Sequence, residues 1–272
     1  MDSMQKIQEA TQFLKAKIKN VPQAGIVLGS GLGNFTGEID IEIEIPYGDI
    51  PHFPVSTVEG HSGKMIFGKL GGKNIVAMAG RFHFYEGYST TEVIFPIRVM
   101  KLLGIETLFL SNAAGATNPT YKVGDLMIIN DHISTFITNP LIGKNDKAWG
   151  TRFPDMSEPY KKELITKAAD IAKNAGYDIK QGVYICVTGP TFETRAEYKM
   201  LHILGCDAVG MSTVQEVIAA VHMGLPVFAI SVITDIGIRE EENIITHEEV
   251  LQAAKDAEPK LTHIFRELIA QL

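Results

Sequence analysis

The sequence predicts an α/β fold, with one domain over residues 1–272, a mixed or parallel sheet and helices on both faces. Three observations indicate this. Short apolar runs typical of buried strands alternate along the chain with segments of helical periodicity. No linker-like stretch, internal repeat or low-complexity tract interrupts the 272 residues. A hydrophobic fraction of 45% allows one sizeable core to form without disulfides or metal clips.

Strands dominate the predictions for the first part of the chain, after an amphipathic helix pattern at the N-terminus. Residues 24–28 form an apolar run that opens into a glycine-rich turn, and residues 41–45 alternate Ile with Glu, as in a strand with one wet face. Gly71 and Gly72 separate two further strands and predict a hairpin of residues 64–70 and 73–79.

Capping boxes mark the predicted helix starts. Ser89 with Glu92 begins a helix that should reach Leu103, stop at Gly104 and be kinked by Pro96. Two further boxes, Thr213 with Glu216 and Thr246 with Glu249, predict helix starts near Ser212 and His247. The remaining strands are predicted at residues 107–110, 126–130, 183–187 and 227–233.

The charge balance and the apolar runs exclude several classes of partner. The chain carries 25 basic and 32 acidic residues, a net charge of −7, and its longest basic run is Lys161-Lys162. Nucleic acids and anionic membranes are therefore not expected as partners. Apolar runs such as residues 226–234 are too short to span a bilayer. With two cysteines, Cys186 and Cys206, and no signal-peptide pattern, a cytoplasmic location is expected.

Metal and hydrolase motifs are absent from the sequence. The histidines have no H-E-x-x-H spacing, and neither cysteine has a partner in a zinc pattern. Residues 28–31 resemble G-x-S-x-G only superficially, in the wrong order for a serine hydrolase. We therefore expect no metal and no cofactor.

Two segments predict an anion site. Residues 29–33 follow a strand, and their glycine amides with the Ser30 hydroxyl suit a phosphate, although a plain strand-ending turn is an equal alternative. The segment is neither a Walker loop nor a complete dinucleotide fingerprint. Residues 81–88 are more specific, because Arg81, His83 and Tyr85 would share one face of an extended chain and could clamp an oxyanion. The alternative is an aromatic strand with a surface arginine.

Further segments suit a nucleoside. Residues 111–115 are small and leave room for a ligand near the backbone, or simply form a turn. Phe192 beside Glu193 suits a purine, by stacking and by accepting from N–H groups, but equally suits a helix N-terminus. Ser212 lies where a strand meets a helix and could hold phosphate or act as a plain N-cap. Residues 139–157 are predicted to form a long polar loop, and loops of this length usually have a function.

Taken in order, these motifs, together with residues 60–63 and 246–251, resemble the purine nucleoside phosphorylases. The trimeric branch is the closer match, with further likeness at residues 139–141, 152–154 and 156–157. The resemblance implies one domain around a mixed, partly barrel-like sheet. It also implies a pentosyltransferase that reversibly phosphorolyses purine (deoxy)ribonucleosides, mainly inosine and guanosine, with phosphate as co-substrate and no cofactor.

The resemblance also implies site residues by position. Phosphate binding would involve Ser30, His61, Arg81, Phe82, His83, Ala113 and Ser212. Nucleoside binding would involve Tyr85, Phe153, Phe192, Glu193, Val209, Gly210, Met211, Thr234, Asp235 and His247, with Phe153 reaching a neighbouring subunit of a homotrimer. The catalytic set would be His83, Glu193, Asp235 and His247.

Asp235 departs from the family pattern, since members selective for 6-oxopurines have Asn after the threonine at this point. Residues 235–239 also depart from the small-residue loop common there. Methylthioadenosine phosphorylases have acidic residues in this region and are therefore the alternative enzyme class. Residues 112–115 and 192–194 nevertheless fit the purine nucleoside phosphorylases better. A nucleoside-binding protein without turnover is the alternative of a different class.

Overall fold

The computed structural model describes residues 3–55, 62–238 and 245–272. Within them the strands are β1 Ala24–Val27, β2 Asp40–Pro46, β3 Lys64–Leu70, β4 Lys73–Ala79, β5 Thr107–Ala116, β6 Leu126–Ile133, β7 Ile179–Cys186, β8 Ala208–Gly210 and β9 Val227–Ile236. The helices are α1 Ser3–Lys15, α2 Thr90–Val93, α3 Phe95–Leu103, α4 Lys162–Asn174, α5 Arg195–Ile203, α6 Val214–His222 and α7 His247–Ala270.

The strands form one mixed sheet in the order β2-β3-β4-β1-β5-β8-β7-β6-β9. β1 runs parallel to β4 and β5, whereas β3 is antiparallel to both of its neighbours. β9 pairs with β6 and also returns to pair with β5, so the strands β5, β8, β7, β6 and β9 close on themselves. The expectation of a mixed, partly barrel-like sheet is thus confirmed.

An aromatic cluster fixes the C-terminal helix α7 on this sheet. The ring of Phe265 on α7 lies 5.6 Å from Phe109 on β5 and 6.0 Å from Phe228 on β9. Phe35, in the short 3₁₀ helix after β1, approaches the same ring to 5.9 Å. Such edge-on and tilted contacts bury large apolar areas and favour defined ring geometries. The cluster therefore anchors α7, whose first residue is His247.

Most local predictions are confirmed. The hairpin occupies residues 64–70 and 73–79 as predicted, and the capping boxes at Ser89 and Thr246 are both formed. Pro96 does not kink a continuous helix. Instead α2 ends at Val93 and α3 begins at Phe95, with the proline in its first turn, where its missing N–H leaves no helical bond unmade.

Two local interpretations are wrong. Thr213 does precede a helix, but with a φ of 74° and no capping bond from its side chain, so the predicted box with Glu216 does not form. Residues 111–115 are not a turn, because β5 continues through them to Ala116. In both cases the backbone is set by long-range pairing rather than by the local motif.

Neither cysteine is bridged, and both are buried. In the described part of the chain, no helix combines the length and the apolar character needed to cross a membrane.

Candidate active site

One cleft collects side chains from motifs that are distant in the sequence. Of the predicted site residues, it is lined by Ser30, Arg81, His83, Tyr85, Ala113, Phe192, Glu193, Val209, Gly210, Met211, Ser212, Thr234, Asp235 and His247. Phe82 and Phe153 are not among the lining residues, and His61 lies outside the described residues. The sheet closure accounts for this convergence, because it brings β5, β8 and β9 together.

Arg81 forms the floor of one end of the cleft and is only 1% exposed. Its Nε and Nη2 atoms lie 3.3 and 3.2 Å from the two carboxylate oxygens of Glu216. Its Nη1 donates to the Ser111 carbonyl at 2.7 Å and to Ser212 Oγ at 3.3 Å. The guanidinium is thus held in one orientation by a buried, nearly bidentate ion pair.

His83 lies beside Arg81 with its ring stacked on Tyr85, the ring centres being 4.6 Å apart. Its Nδ1 atom is 3.0 Å from Glu86 Oε1, which also accepts from the His83 backbone N–H at 2.8 Å. Burial lowers the pKa of His83, against the opposing effect of Glu86. The chain turns into a 3₁₀ helix at Phe84–Glu86, yet Arg81, His83 and Tyr85 all line the cleft, as the extended pattern predicts.

Ser212 and Asn112 complete the polar surface near Arg81. Thr213 Oγ1 accepts from Asn112 Nδ2 at 2.9 Å and lies 3.1 Å from Ser212 Oγ. The positive φ of Thr213 therefore belongs to a buried hydrogen-bonded cluster, which over-determines a conformation that a threonine rarely adopts. Asn112 Oδ1 is buried without a hydrogen-bond partner among the described residues.

The other end of the cleft holds an aromatic ring and two carboxyl groups. Phe192 is 41% exposed, so its ring face is open to a planar ligand. Glu193 Oε1 is buried, and the described residues offer it no hydrogen-bond partner. Burial raises the pKa of Glu193, with Asp235 and Glu197 adding to the shift. Asp235 accepts from Tyr198 Oη at 2.8 Å and from Thr234 Oγ1 at 3.2 Å.

The sequence does not identify two residues that matter here, one that lines the cleft and one that holds a lining residue in place. Tyr198 lines the cleft from α5, and Glu216 pairs with Arg81 from α6. The sequence pattern indicates Glu216 only as a capping residue, and nothing in the local sequence distinguishes Tyr198 from a core side chain. An acidic residue in the first turn of a mainly apolar helix was the available signal for Glu216, since buried carboxylates need a partner.

Two predicted residues are positioned differently from the rest. The Phe82 side chain is buried against Tyr47 and Tyr88, at ring distances of 5.1 and 5.8 Å, so it faces away from the cleft and cannot contact a ligand there. Alternation along the chain explains this, since Arg81 and His83 point to the opposite side. Phe153 is 86% exposed and lines a separate surface depression with Asp131 and Arg152.

The arrangement suits a ligand with an anionic part at one end and a flat, hydrogen-bonding ring at the other. No group of three or more potential metal ligands occurs within residues 3–55, 62–238 and 245–272.

Comparisons with known proteins agree with this geometry. The family described as "Phosphorylase superfamily" matches residues 23–270. Purine nucleoside phosphorylase 1 of Geobacillus stearothermophilus is 49% identical over 266 residues, covering 98% of this chain and 97% of the relative. Purine nucleoside phosphorylase of Rattus norvegicus is 47% identical over 261 residues, or 93% of this chain and 90% of the relative.

Solved structures match over the whole chain. The Schistosoma mansoni purine nucleoside phosphorylase in complex with adenosine has a TM-score of 0.95 at 41% identity, covering 100% of this chain and 99% of that one. The same enzyme in complex with inosine gives 0.94 at 41% identity, with 100% and 98% covered. The chain therefore belongs to the phosphorylase superfamily and, within it, to the purine nucleoside phosphorylases.

Proposed function

We propose that the cleft catalyses the reversible phosphorolysis of purine (deoxy)ribonucleosides, releasing the purine base and (deoxy)ribose 1-phosphate. The main observation behind this proposal is that one cavity contains both an oriented cation and a surface suited to bind a purine. Arg81 lies at one end, and Phe192 with Glu193 lies at the other. The enzyme is accordingly a pentosyltransferase that uses phosphate as co-substrate and acts in purine salvage in the cytoplasm.

At the anionic end, phosphate attacks C1′ of the nucleoside while the bond from C1′ to the base breaks. The transition state resembles an oxocarbenium ion, as in glycoside cleavage generally. Arg81 and Ser212, which already touch each other, hold the phosphate with its negative charge beneath the developing ribosyl cation. Ser30, His83 and the Ala113 amide supply further donors. The phosphate-binding role of His61 rests on the family pattern alone.

At the base end, the leaving purine acquires electron density that the protein must stabilise. Phe192 stacks on the ring, and Glu193 Oε1 accepts from N1–H of a 6-oxopurine, which satisfies its buried oxygen. Asp235 contacts N7 or the substituent at position 6. Val209, Gly210 and Thr234 shape the base pocket, while Tyr85 and Met211 contact the ribose and His247 its 5′-hydroxyl.

Asp235 sets the choice between 6-oxo and 6-amino purines. An ionised carboxylate repels the O6 carbonyl but accepts well from a 6-amino group. Beside Glu193, however, one of the two carboxyl groups retains a proton, and a protonated Asp235 can donate to N7 as an Asn amide would. We therefore expect inosine and guanosine as main substrates with appreciable use of adenosine. Relatives of this chain have been solved with inosine and with adenosine, which supports a base pocket of this tolerance.

The active assembly is a homotrimer in which Phe153 completes a neighbouring site. Phe153 is 86% exposed, and Ile142 in the same long loop is 74% exposed. Both side chains line one surface depression, and a contiguous exposed apolar patch is typical of an interface. A fully active monomer in sedimentation would contradict this assembly. Phe153→Ala should raise the nucleoside KM, whereas Val123→Ala, at another exposed loop position, should leave it unchanged.

The test of function compares inosine, guanosine, adenosine and methylthioadenosine for phosphate-dependent release of free base. We expect release from the first three, with inosine and guanosine fastest. Preference for methylthioadenosine would identify the alternative enzyme. Binding of nucleoside without release of base at any phosphate concentration would contradict an enzymatic role.

A further inference from the structure

A single phenol joins the two carboxyl groups at the base end. The Tyr198 hydroxyl donates to Asp235 Oδ2 at 2.8 Å, and the carboxyl group of Glu193 is close enough to raise the pKa of the phenol. Tyr198 is 2% exposed and lines the cleft together with both acids. The hydroxyl has a single proton, so it can donate to only one of the two carboxyl groups at a time.

The backbone is shaped to admit this phenol. A side chain at Gly115 on β5 would collide with the Tyr198 hydroxyl and with Asp235 Oδ2, and one at Gly237 would overlap the Tyr198 ring. Glycine at both positions lets α5 bring the phenol up against β5 and the end of β9. The position of Tyr198 therefore depends on α5, which carries it, and on glycines in β5 and directly after β9.

The charges around the phenol favour one proton shared between the two acids. Glu193 and Asp235 are neighbours in a buried setting, and Glu197 adds a further negative charge. Two carboxylates in such a setting retain one proton between them and titrate as a pair. Burial and both acids raise the pKa of Tyr198, so the phenol stays protonated and remains a donor.

A 6-oxopurine and a 6-aminopurine each require the shared proton on a different one of the two carboxyl groups. A 6-oxopurine presents a donor at N1 and an acceptor at O6, so it fits an ionised Glu193 and a protonated Asp235. A 6-aminopurine presents an acceptor at N1 and a donor at position 6, so it fits a protonated Glu193 and an ionised Asp235. The number of protons on the pair is the same in both cases.

We propose that Tyr198 determines base specificity by turning its hydroxyl to whichever of Glu193 and Asp235 is ionised, so that one pocket accepts both 6-oxo and 6-amino purines. This rests on the proposed function. The exchange is balanced: one proton leaves the Asp235 carboxyl and one arrives on Glu193, the pair keeps a net charge of −1, and the phenol keeps its own proton.

The first test removes only the hydroxyl, by Tyr198→Phe. In the structure the hydroxyl donates to Asp235 Oδ2 at 2.8 Å, so its removal takes a donor from the Asp235 carboxylate, whereas ionised Glu193 still accepts from its own backbone N–H. The proton should therefore settle on Asp235, which is the arrangement for 6-oxopurines. We expect kcat/KM for adenosine to fall at least about tenfold relative to inosine, the usual effect of losing one hydrogen bond to a charged group.

Tyr121→Phe is the matched control, because it removes a phenol hydroxyl that donates to the Gln181 carbonyl and does not line the cleft. It should leave the ratio of adenosine to inosine unchanged. A Tyr198→Phe enzyme with the same ratio as the unmodified enzyme, or with equal losses on both substrates, would overturn the proposal.

The second test uses the unmodified enzyme and so does not depend on how the variant folds. Because both arrangements carry one proton, the ratio of kcat/KM for adenosine and inosine should stay constant over a pH range in which neither nucleoside ionises. Effects of pH on the phosphate end cancel in this ratio. A tenfold drift would show that the substrates need different proton counts and would overturn the proposal. Failure to release base from either nucleoside would instead overturn the proposed function.

Discussion

At the scale of single residues, the buried charge of Arg81 lies at the centre of the proposed phosphate end of the cleft. Its guanidinium is held by Glu216, the Ser111 carbonyl and Ser212, so little reorganisation is needed when an anion arrives. Such preorganisation requires Glu216, because a lone arginine at 1% exposure would be strongly destabilising. Under the proposed function, the pair serves both stability and phosphate binding.

Arg81→Ala and His83→Ala should each weaken the use of phosphate far more than the binding of nucleoside. Loss of one charge-assisted hydrogen bond costs about 1.5–3 kcal/mol, or roughly tenfold to hundredfold in phosphate KM or kcat/KM. Steady-state kinetics with phosphate and inosine varied separately provide the measurement. An unchanged dependence on phosphate concentration in either variant would refute the assignment.

Glu216→Ala should destabilise the fold, since it leaves the Arg81 charge buried and unbalanced. Breaking a buried pair in this way costs about 3–5 kcal/mol, measurable by urea denaturation. Added phosphate should recover part of the loss, because it binds the uncompensated cation in the folded state. Glu163→Ala, at a surface pair with Lys167, is the control and should leave the midpoint unchanged. Equal midpoints for the two variants would contradict the role given to Glu216.

The lowered pKa of His83 predicts a loss of stability in acid. Burial favours the neutral ring, so the unfolded chain binds more protons below its ordinary pKa of about 6.5. Stability contributed by His83 is therefore full above that pH and is lost as the pH falls toward the folded value. His83→Asn should reduce the drop in Tm between neutral and mildly acidic pH. An identical drop in both proteins would contradict this.

At the scale of elements, α7 carries His247 into the cleft, and its first turn is fixed by the capping box of Thr246 and Glu249. The sequence identifies this box, the Ser89 box and the β3–β4 hairpin, because each depends on residues within a few positions. It does not predict that the capping box of Thr213 and Glu216 fails to form. Instead, Thr213 accepts a hydrogen bond from the Asn112 amide, and Glu216 pairs with the Arg81 guanidinium. Both partners are remote in the chain, and they prevail over the local motif because a buried amide and a buried charge each need a partner.

Removing the two confirmed caps separates stability from function. Thr246→Ala and Ser89→Ala should each lower the free energy of unfolding by about 1 kcal/mol. Only Thr246→Ala should also raise the nucleoside KM, because its helix begins at His247 in the cleft whereas the Ser89 helix lies outside the lining. Equal kinetic effects of the two variants would show that the α7 start does not position the ligand.

At the scale of the whole molecule, the closure of β5, β8, β7, β6 and β9 makes the site. It brings together residues as far apart in the chain as Ser30 and His247. The alternation of strands and helices predicts the fold class, and the motif order predicts most of the lining. Tyr198 could not be predicted, because its role depends on α5 packing over Gly115 and Gly237, which is a property of the assembled fold.

The most direct measurement of the central claim is ³¹P NMR of the unmodified enzyme with inosine and inorganic phosphate, alongside assay of free hypoxanthine. The account predicts that ribose 1-phosphate and hypoxanthine appear in equal amounts, that both stop when phosphate is omitted, and that Arg81→Ala slows them together. Hypoxanthine released without phosphate, or free ribose in place of ribose 1-phosphate, would contradict phosphorolysis in this cleft.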